Sequence, residues 1–407
     1  MLSRFSPRCI PLLFVLLVAL ATMADASAEG HAPDALSYRP NDPLNPSAFD
    51  HFYNLDYDDA VRDFGLVLQR HPDDPFAVNH VLAAVLYREL YQMGALNTGE
   101  YASDTFIRSP HRPADEKVKQ RINELVRRAL QLEEQSLTAN PDSIDALYAR
   151  GVTRAQVAVY TALMERAWFS ALRNAVGARR DHERVLELNP ADSQARLIVG
   201  AHNYVVGSLP WGMRVAVAMM GMGGNKDRGI AYLRQCAEGN GETSVDARIL
   251  LVLFLRREHR YEEALSLVRG LISRYPRNVL MALEEGNLLR AGGHNQEAAD
   301  VYRKVWQAGQ EGKYPGLHYE IAAFSLGELL RSQKDFAGAA AAFEQVAQVA
   351  QPDPEVLQKA NLGAGEMYDL LHERDLALAK YQAVIATKAD APPAETARKR
   401  MKDAYRE

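Results

Sequence analysis

Tyr261-Glu262-Glu263-Ala264 opens an amphipathic run that closes at Tyr275-Pro276, and the same cue returns three times downstream. Asn295-Gln296-Glu297-Ala298 precedes Tyr302, Lys334-Asp335-Phe336-Ala337-Gly338-Ala339 precedes Phe343, and Arg374-Asp375-Leu376-Ala377 precedes Tyr381. Each Ala stands four residues before a Val, Tyr or Phe, one turn along the same helical face. Gly286, Gly327 and Gly365 stand twelve residues ahead of Ala298, Ala339 and Ala377. Two antiparallel helices approach closely only where small residues meet, so Gly and Ala mark a crossing and the aromatic fills the next layer. The steps between Ala264, Ala298, Ala339 and Ala377 are 34, 41 and 38 residues, and the longer ones imply inserted turns, as between Gly309 and Gly316.

Weaker copies precede these. Tyr57-Asp58-Asp59-Ala60 is followed by Phe64 and Pro72, and Ala129 with Pro141, Ala178 with Pro190 and Ala264 with Pro276 share a twelve-residue offset. A Pro there stops one helix and turns the chain toward the next. The pattern resembles the tetratricopeptide repeat, a helix–turn–helix unit of about 34 residues. It implies an all-α, right-handed superhelical solenoid, divergent over 47–240, regular over 241–390, and closed over 391–407 by a Lys- and Arg-rich capping helix. No alternating strand runs with hairpin turns occur.

The first residues read as an address. Arg4 and Arg8 precede an uncharged, almost wholly apolar run over 10–21, and Ala24-Asp25-Ala26 and Ala26-Ser27-Ala28 are small-x-small cleavage sites. This is the layout of a secretory signal peptide, 1–28, with Glu29 first after cleavage. The competing reading is an uncleaved anchor, but twelve residues rise only about 18 Å against about 30 Å of hydrocarbon. Cys9 lies inside the signal, so Cys236 alone remains and no intramolecular disulfide can form. An exported protein, periplasmic or secreted, is expected. Residues 29–46, with Pro33, Pro40, Pro43 and Pro46, read as an extended lead-in.

A second resemblance rests on residues 207–233. They run Gly207-Ser208-Leu209-Pro210-Trp211, then an apolar stretch over 213–222, then Gly223-Gly224-Asn225-Lys226-Asp227-Arg228-Gly229-Ile230-Ala231-Tyr232-Leu233. The segment resembles the signature of the eukaryotic tetratricopeptide-repeat-domain-39 family and its fungal inclusion-body-clearance relatives; Phe52-Tyr53-Asn54 to Ala60 resembles that family's first repeat, and the helix around Arg248 sits at the comparable place after the signature. The resemblance implies a repeat fold over roughly 47–385 and no catalytic residues. Two departures stand out: this chain carries an export signal, and its Gly-Asp-Arg step is interrupted as Gly-Asn-Lys-Asp-Arg.

The 407 residues are 47% hydrophobic and 24% charged with a formal net charge of −5, which excludes a disordered chain and offers no basic excess for nucleic acid. The eleven His residues show no His-Glu-x-x-His spacing, and one remaining Cys excludes a Cys-based zinc cluster. His202 and His318 read as structural. No Gly-x-Ser-x-Gly elbow or Walker loop is present, and Gly221-Met222-Gly223-Gly224 follows no strand. No enzyme, cofactor or metal is expected.

Two constellations remain. Arg256, Arg290 and Arg331 take the twelfth position of successive units, with Arg257 beside the first and Asp369 breaking the series in the fourth. Repeated on first helices about 10 Å apart, they read as a positive stripe for carboxylates or an acidic peptide on a concave surface, with Asn287 and Glu328 one turn earlier. The plainer reading is the preference of cations for the last helical turn. The second is Trp211, Met213, Met219, Met220 and Met222, an adaptable apolar surface for lipid or another apolar ligand, or, as the ordinary expectation, a buried plug between repeat halves. The first function read from the chain is therefore a non-enzymatic scaffold binding a peptide or protein segment; the alternative is a membrane-associated apolar-ligand module through 207–223.

Overall fold

The computed structural model describes residues 37–96, 114–219 and 222–407. The signal-peptide reading of 1–28, the first part of the lead-in and Met220 lie outside them. Among the described residues there are α-helices and no strand. In chain order the helices are α1 Asn45–Tyr53, α2 Tyr57–Arg70, α3 Pro75–Gln92, α4 Glu116–Ala139, α5 Ile144–Leu163 and α6 Trp168–Leu188. They continue as α7 Arg196–Gly207, α8 Trp211–Met219, α9 Lys226–Glu238, α10 Ser244–Arg257, α11 Tyr261–Arg274 and α12 Val279–Ala291. The last are α13 Asn295–Gln310, α14 Glu320–Ser332, α15 Phe336–Gln345, α16 Pro354–Leu370, α17 Arg374–Thr387 and α18 Pro392–Lys402.

Short polar residues start many of these helices. Asp74 and Asp353 each accept two backbone N–H groups, from Phe76 and Ala77 and from Glu355 and Val356, with Pro75 and Pro354 in the first turn. Ser143, Asn225, Asn278 and Asp335 cap α5, α9, α12 and α15 through single bonds.

The turns inside the hairpins share one device. Leu55, His259, Gly293, Lys334 and His372 all have positive φ, two residues before α2, α11, α13, α15 and α17. The N–H one residue further on bonds back five residues: Asp56 to His51, Arg260 to Leu255, His294 to Leu289, Asp335 to Leu330 and Glu373 to Tyr368. This is a left-handed helix cap that satisfies orphan carbonyls and reverses the chain. Only one of the five uses glycine.

The crossings are as tight as their small residues allow. A Cβ on Gly286 would come within 2.5 Å of the Tyr302 ring, one on Gly327 within 2.6 Å of Phe343, and one on Gly365 within 2.6 Å of Tyr381. These aromatics are fully buried, with Ala298, Ala339 and Ala377 beside them at zero exposure. His182, four residues after Ala178, takes the aromatic's place against Gly151. The chain is an all-α stack of tetratricopeptide-like helix hairpins.

The described residues divide into two compact units, one ending at Tyr275 and the other running over 276–407. In the first, α2 packs on α1, α4 on α3, α6 on α5, α9 on α7 and α11 on α10. There the Tyr53 hydroxyl donates to Asp246 at 3.1 Å and its ring lies 5.1 Å from Tyr275, so α1 meets the hairpin α10–α11. In the second, α12–α13, α14–α15 and α16–α17 are hairpins, and α18 covers α17 through Ala394 and Ala397.

Candidate functional site

In the second unit the residues after each crossing glycine fall in register. Asn287 and Arg290 on α12 correspond to Glu328 and Arg331 on α14 and to Glu366 and Asp369 on α16. Two of these polar positions, Asn287 and Asp369, serve the core behind them. Tyr302 donates its hydroxyl to Asn287 Oδ1 at 2.8 Å, and Tyr381 donates to Asp369 Oδ2 at 2.7 Å. Burial, reinforced by Asp369, pushes the Tyr381 phenol above its ordinary pKa, so it stays a donor. Asn287 also donates to Glu284 at 3.3 Å.

Arg331 is already occupied. It pairs with Glu366 at 2.9 Å, donates to the Tyr405 hydroxyl at 3.0 Å, and stands 4.0 Å from Glu328. Arg400 approaches Glu366 from α18 at 3.5 Å. The Tyr405 ring receives both guanidinium groups, Arg331 at 5.4 Å and Arg400 at 4.6 Å from its centroid. Its backbone N–H donates to Asp369 at 2.8 Å. Asp369 also binds Arg374 at 2.7 Å, and Arg374 in turn donates to the carbonyls of Arg400 and Met401 at the end of α18. Lys334 meets Glu407 at 3.3 Å. The non-helical segment 403–407 is thus held over the C-terminal ends of α14 and α16.

The other predicted contact residues separate. Arg290 is exposed on α12 of the second unit, whereas Arg256, half-buried, and Arg257, exposed, belong to α10 of the first. Beside them Glu258 accepts from Lys226 at 2.7 Å and from the Tyr204 hydroxyl at 2.9 Å. Tyr405, Glu366 and Arg400 were not singled out in the sequence; only the break at Asp369 marked the place.

The first unit also holds an extended piece of its own chain. Tyr38 is fully buried, stacked on Tyr148 with ring centroids 3.5 Å apart, and its hydroxyl donates to Asp192. Arg39 pairs with buried Glu242 at 3.2 Å, and Asp42 accepts from Arg70 at 3.0 Å and faces His71 at 3.2 Å. Burial outweighs the Arg39 charge and pushes Glu242 up to about 8. His80 is buried between Phe49 and Phe64, each with its ring centroid 5.2 Å away, and burial holds its imidazole down at about 3.

The expected burial of the apolar segment is corrected. Trp211 is 74% and Met219 82% exposed on α8, while Met213 and Met222 are half-buried. With Gly212 at its start and neutral residues around Arg214, α8 presents few groups that could anchor it, and its partner in the fold is α7 alone among the main contacts. No described helix is long and apolar enough to cross a membrane. Among the described residues no His, Cys, Asp and Glu cluster could hold a metal ion. His202 faces Arg179 at 2.9 Å, with its pKa lowered to about 4 chiefly by burial, and His318 pairs with Glu320 at 2.8 Å.

No family model matches the chain, and no curated protein does. Solved structures do. A chain of the APC/C hetero-tetramer Cut9-Hcn1 is 13% identical, with 88% of this chain and 55% of that one covered, at a TM-score of 0.44. This chain therefore spans about half the length of that neighbour. A tetratricopeptide repeat protein of Parabacteroides merdae is 15% identical over 78% of this chain and 97% of its own, with a TM-score of 0.33. YrrB, described as having an unusual peptide-binding site, is 16% identical over 54% and 97%, with a TM-score of 0.34. The repeat assignment rests on the chain's own glycine–aromatic crossings.

Proposed function

We propose that this chain is an exported, non-enzymatic scaffold whose repeat surface binds a peptide or protein segment. The observation that carries the reading is the segment 403–407, a non-helical stretch held by Arg331 and Asp369 of first helices, by Arg400 of α18 over the Tyr405 ring, and by Lys334 in the turn before α15. Residues that hold one extended segment have the chemistry to hold another, and a preformed face lowers the ordering cost of binding. Arg290 offers an exposed cation for an acidic group, and Arg257 offers the same in the first unit, with half-buried Arg256 beside it. Export, the periplasm or secretion as destination, and the acidic character of the partner belong to this proposal. The resemblance to the tetratricopeptide-repeat-domain-39 family supports a shared fold and lends no role.

The test is affinity capture from the native envelope with residues 29–407 as bait and the variant Arg256→Glu, Arg290→Glu, Arg331→Glu as control. A partner held by the wild type and lost in the variant, at unchanged helical content, supports the scaffold. Equal capture by both removes these arginines from it.

A second reading rests on the exposure of Trp211 and Met219: α8 contacts a lipid or apolar ligand. Liposome flotation with Trp211→Glu and Met219→Glu decides it, because flotation lost in the variants supports lipid contact and no flotation of the wild type dismisses it.

A further inference from the structure

Tyr405 is held unlike a residue that merely ends a helix. Its hydroxyl, ring and backbone N–H are all engaged: Arg331 on the hydroxyl, Arg331 and Arg400 on the ring, Asp369 on the N–H. Those groups are themselves fixed. Glu366 ties the two arginines together, and Arg374 and Tyr381 hold Asp369. Pre-oriented side chains of this kind form a built site, because their geometry does not depend on the residue they bind. Two residues on, Glu407 meets Lys334, whose side chain is 74% exposed. The cradle therefore reads a tyrosine followed at the second position by an acid.

The tether is short. Tyr405 lies three residues after the end of α18, and Arg374 binds the α18 carbonyls independently of the tyrosine. Release of 403–407 would leave Arg331, Asp369, Glu366 and Arg400 in place. Aromatic–guanidinium and exposed ion contacts are individually weak, so such a segment can exchange with an equivalent one.

We propose that Arg331, Arg400 and Asp369 form a tyrosine-binding site which the chain closes with its own Tyr405 and which accepts a Tyr-x-Glu segment of a partner protein in its place. This rests on the scaffold reading and names the segment class that the second unit takes. The cis segment competes at a high effective concentration, so a partner must displace it or bind when it is released.

The experiment measures fluorescence anisotropy of a labelled peptide with the sequence of 402–407 against residues 29–407. Tyr405→Ala is expected to bind the peptide about tenfold more tightly than the wild type, because the competitor is gone. Adding Arg331→Ala to that variant is expected to abolish binding, as is replacing the peptide's tyrosine by alanine. Equal binding to wild type and Tyr405→Ala, or none to a folded Tyr405→Ala, overturns the proposal. If Tyr405→Ala loses helical content, Tyr405→Phe carries the test: it keeps the ring contacts and lacks the hydroxyl, tighter binding supports the site and unchanged binding overturns it. A chain that fails with the peptide while still capturing an arginine-dependent envelope partner loses the tyrosine site and keeps the scaffold.

Discussion

Arg331 and Tyr405, 74 residues apart in sequence, meet through a 3.0 Å hydrogen bond and a guanidinium–ring contact. The pair turns the twelfth position of a repeat helix into a contact for an extended segment. Glu366 is the residue that makes this affordable, since it balances both Arg331 and Arg400.

Glu366→Ala is accordingly expected to destabilise the protein. It removes the carboxylate shared by two part-buried guanidinium groups and leaves Arg331 only the more distant Glu328, and their partial exposure keeps the loss at about 1–2 kcal/mol. Urea unfolding of the wild type and the variant measures it.

Glycine positions separate packing from propensity. Gly286→Ala puts a methyl group into the Tyr302 ring and is expected to cost about 1–3 kcal/mol. Gly270, exposed within α11, has nothing within 4 Å of an added Cβ, so Gly270→Ala is expected to stabilise by about 1 kcal/mol. Thermal unfolding midpoints should move in opposite directions.

His372 holds the left-handed turn before α17 with φ of 62°. Glycine adopts that conformation without strain, so His372→Gly is expected to raise stability by up to about 1 kcal/mol. The measurement is again the unfolding midpoint, and a loss would show that the imidazole contributes more than its backbone costs.

Two buried groups make the first unit pH-sensitive in opposite senses. His80 stands at about 3 when folded and regains an ordinary value near 6.5 when unfolded. Its neutral form is favoured by the fold, so its stability contribution is present above 6.5 and is lost as pH falls toward 3. Glu242 stands at about 8 against 4.5, so its contribution is present below 4.5 and is lost as pH rises toward 8. Urea unfolding across pH is expected to show a weaker acid-side loss in His80→Leu and a weaker alkaline-side loss in Glu242→Gln.

The fold was legible because its determinants are local. Ala264, Ala298, Ala339 and Ala377 and their following core residues lie within one turn, and the glycines lie one helix away. The site was legible only in part. Arg331 showed itself through register, but Tyr405 reaches it from another element and nothing in the spacing announces the contact. Tyr38 is similar: a residue of a proline-punctuated segment becomes fully buried because Tyr148 and Asp192, far along the chain, receive it. The apolar stretch at 211–219 misled for a related reason, since hydrophobicity states a preference for burial and the helices around α8 do not supply the cover.

The most direct test places a photo-crosslinking residue on each face of the α12–α13 hairpin. Arg290 is exposed on the first helix and Arg303 on the second. With a captured partner present, crosslinks are expected from Arg290→benzoylphenylalanine and not from Arg303→benzoylphenylalanine. Crosslinks from position 303 alone would contradict a scaffold that binds through its first helices.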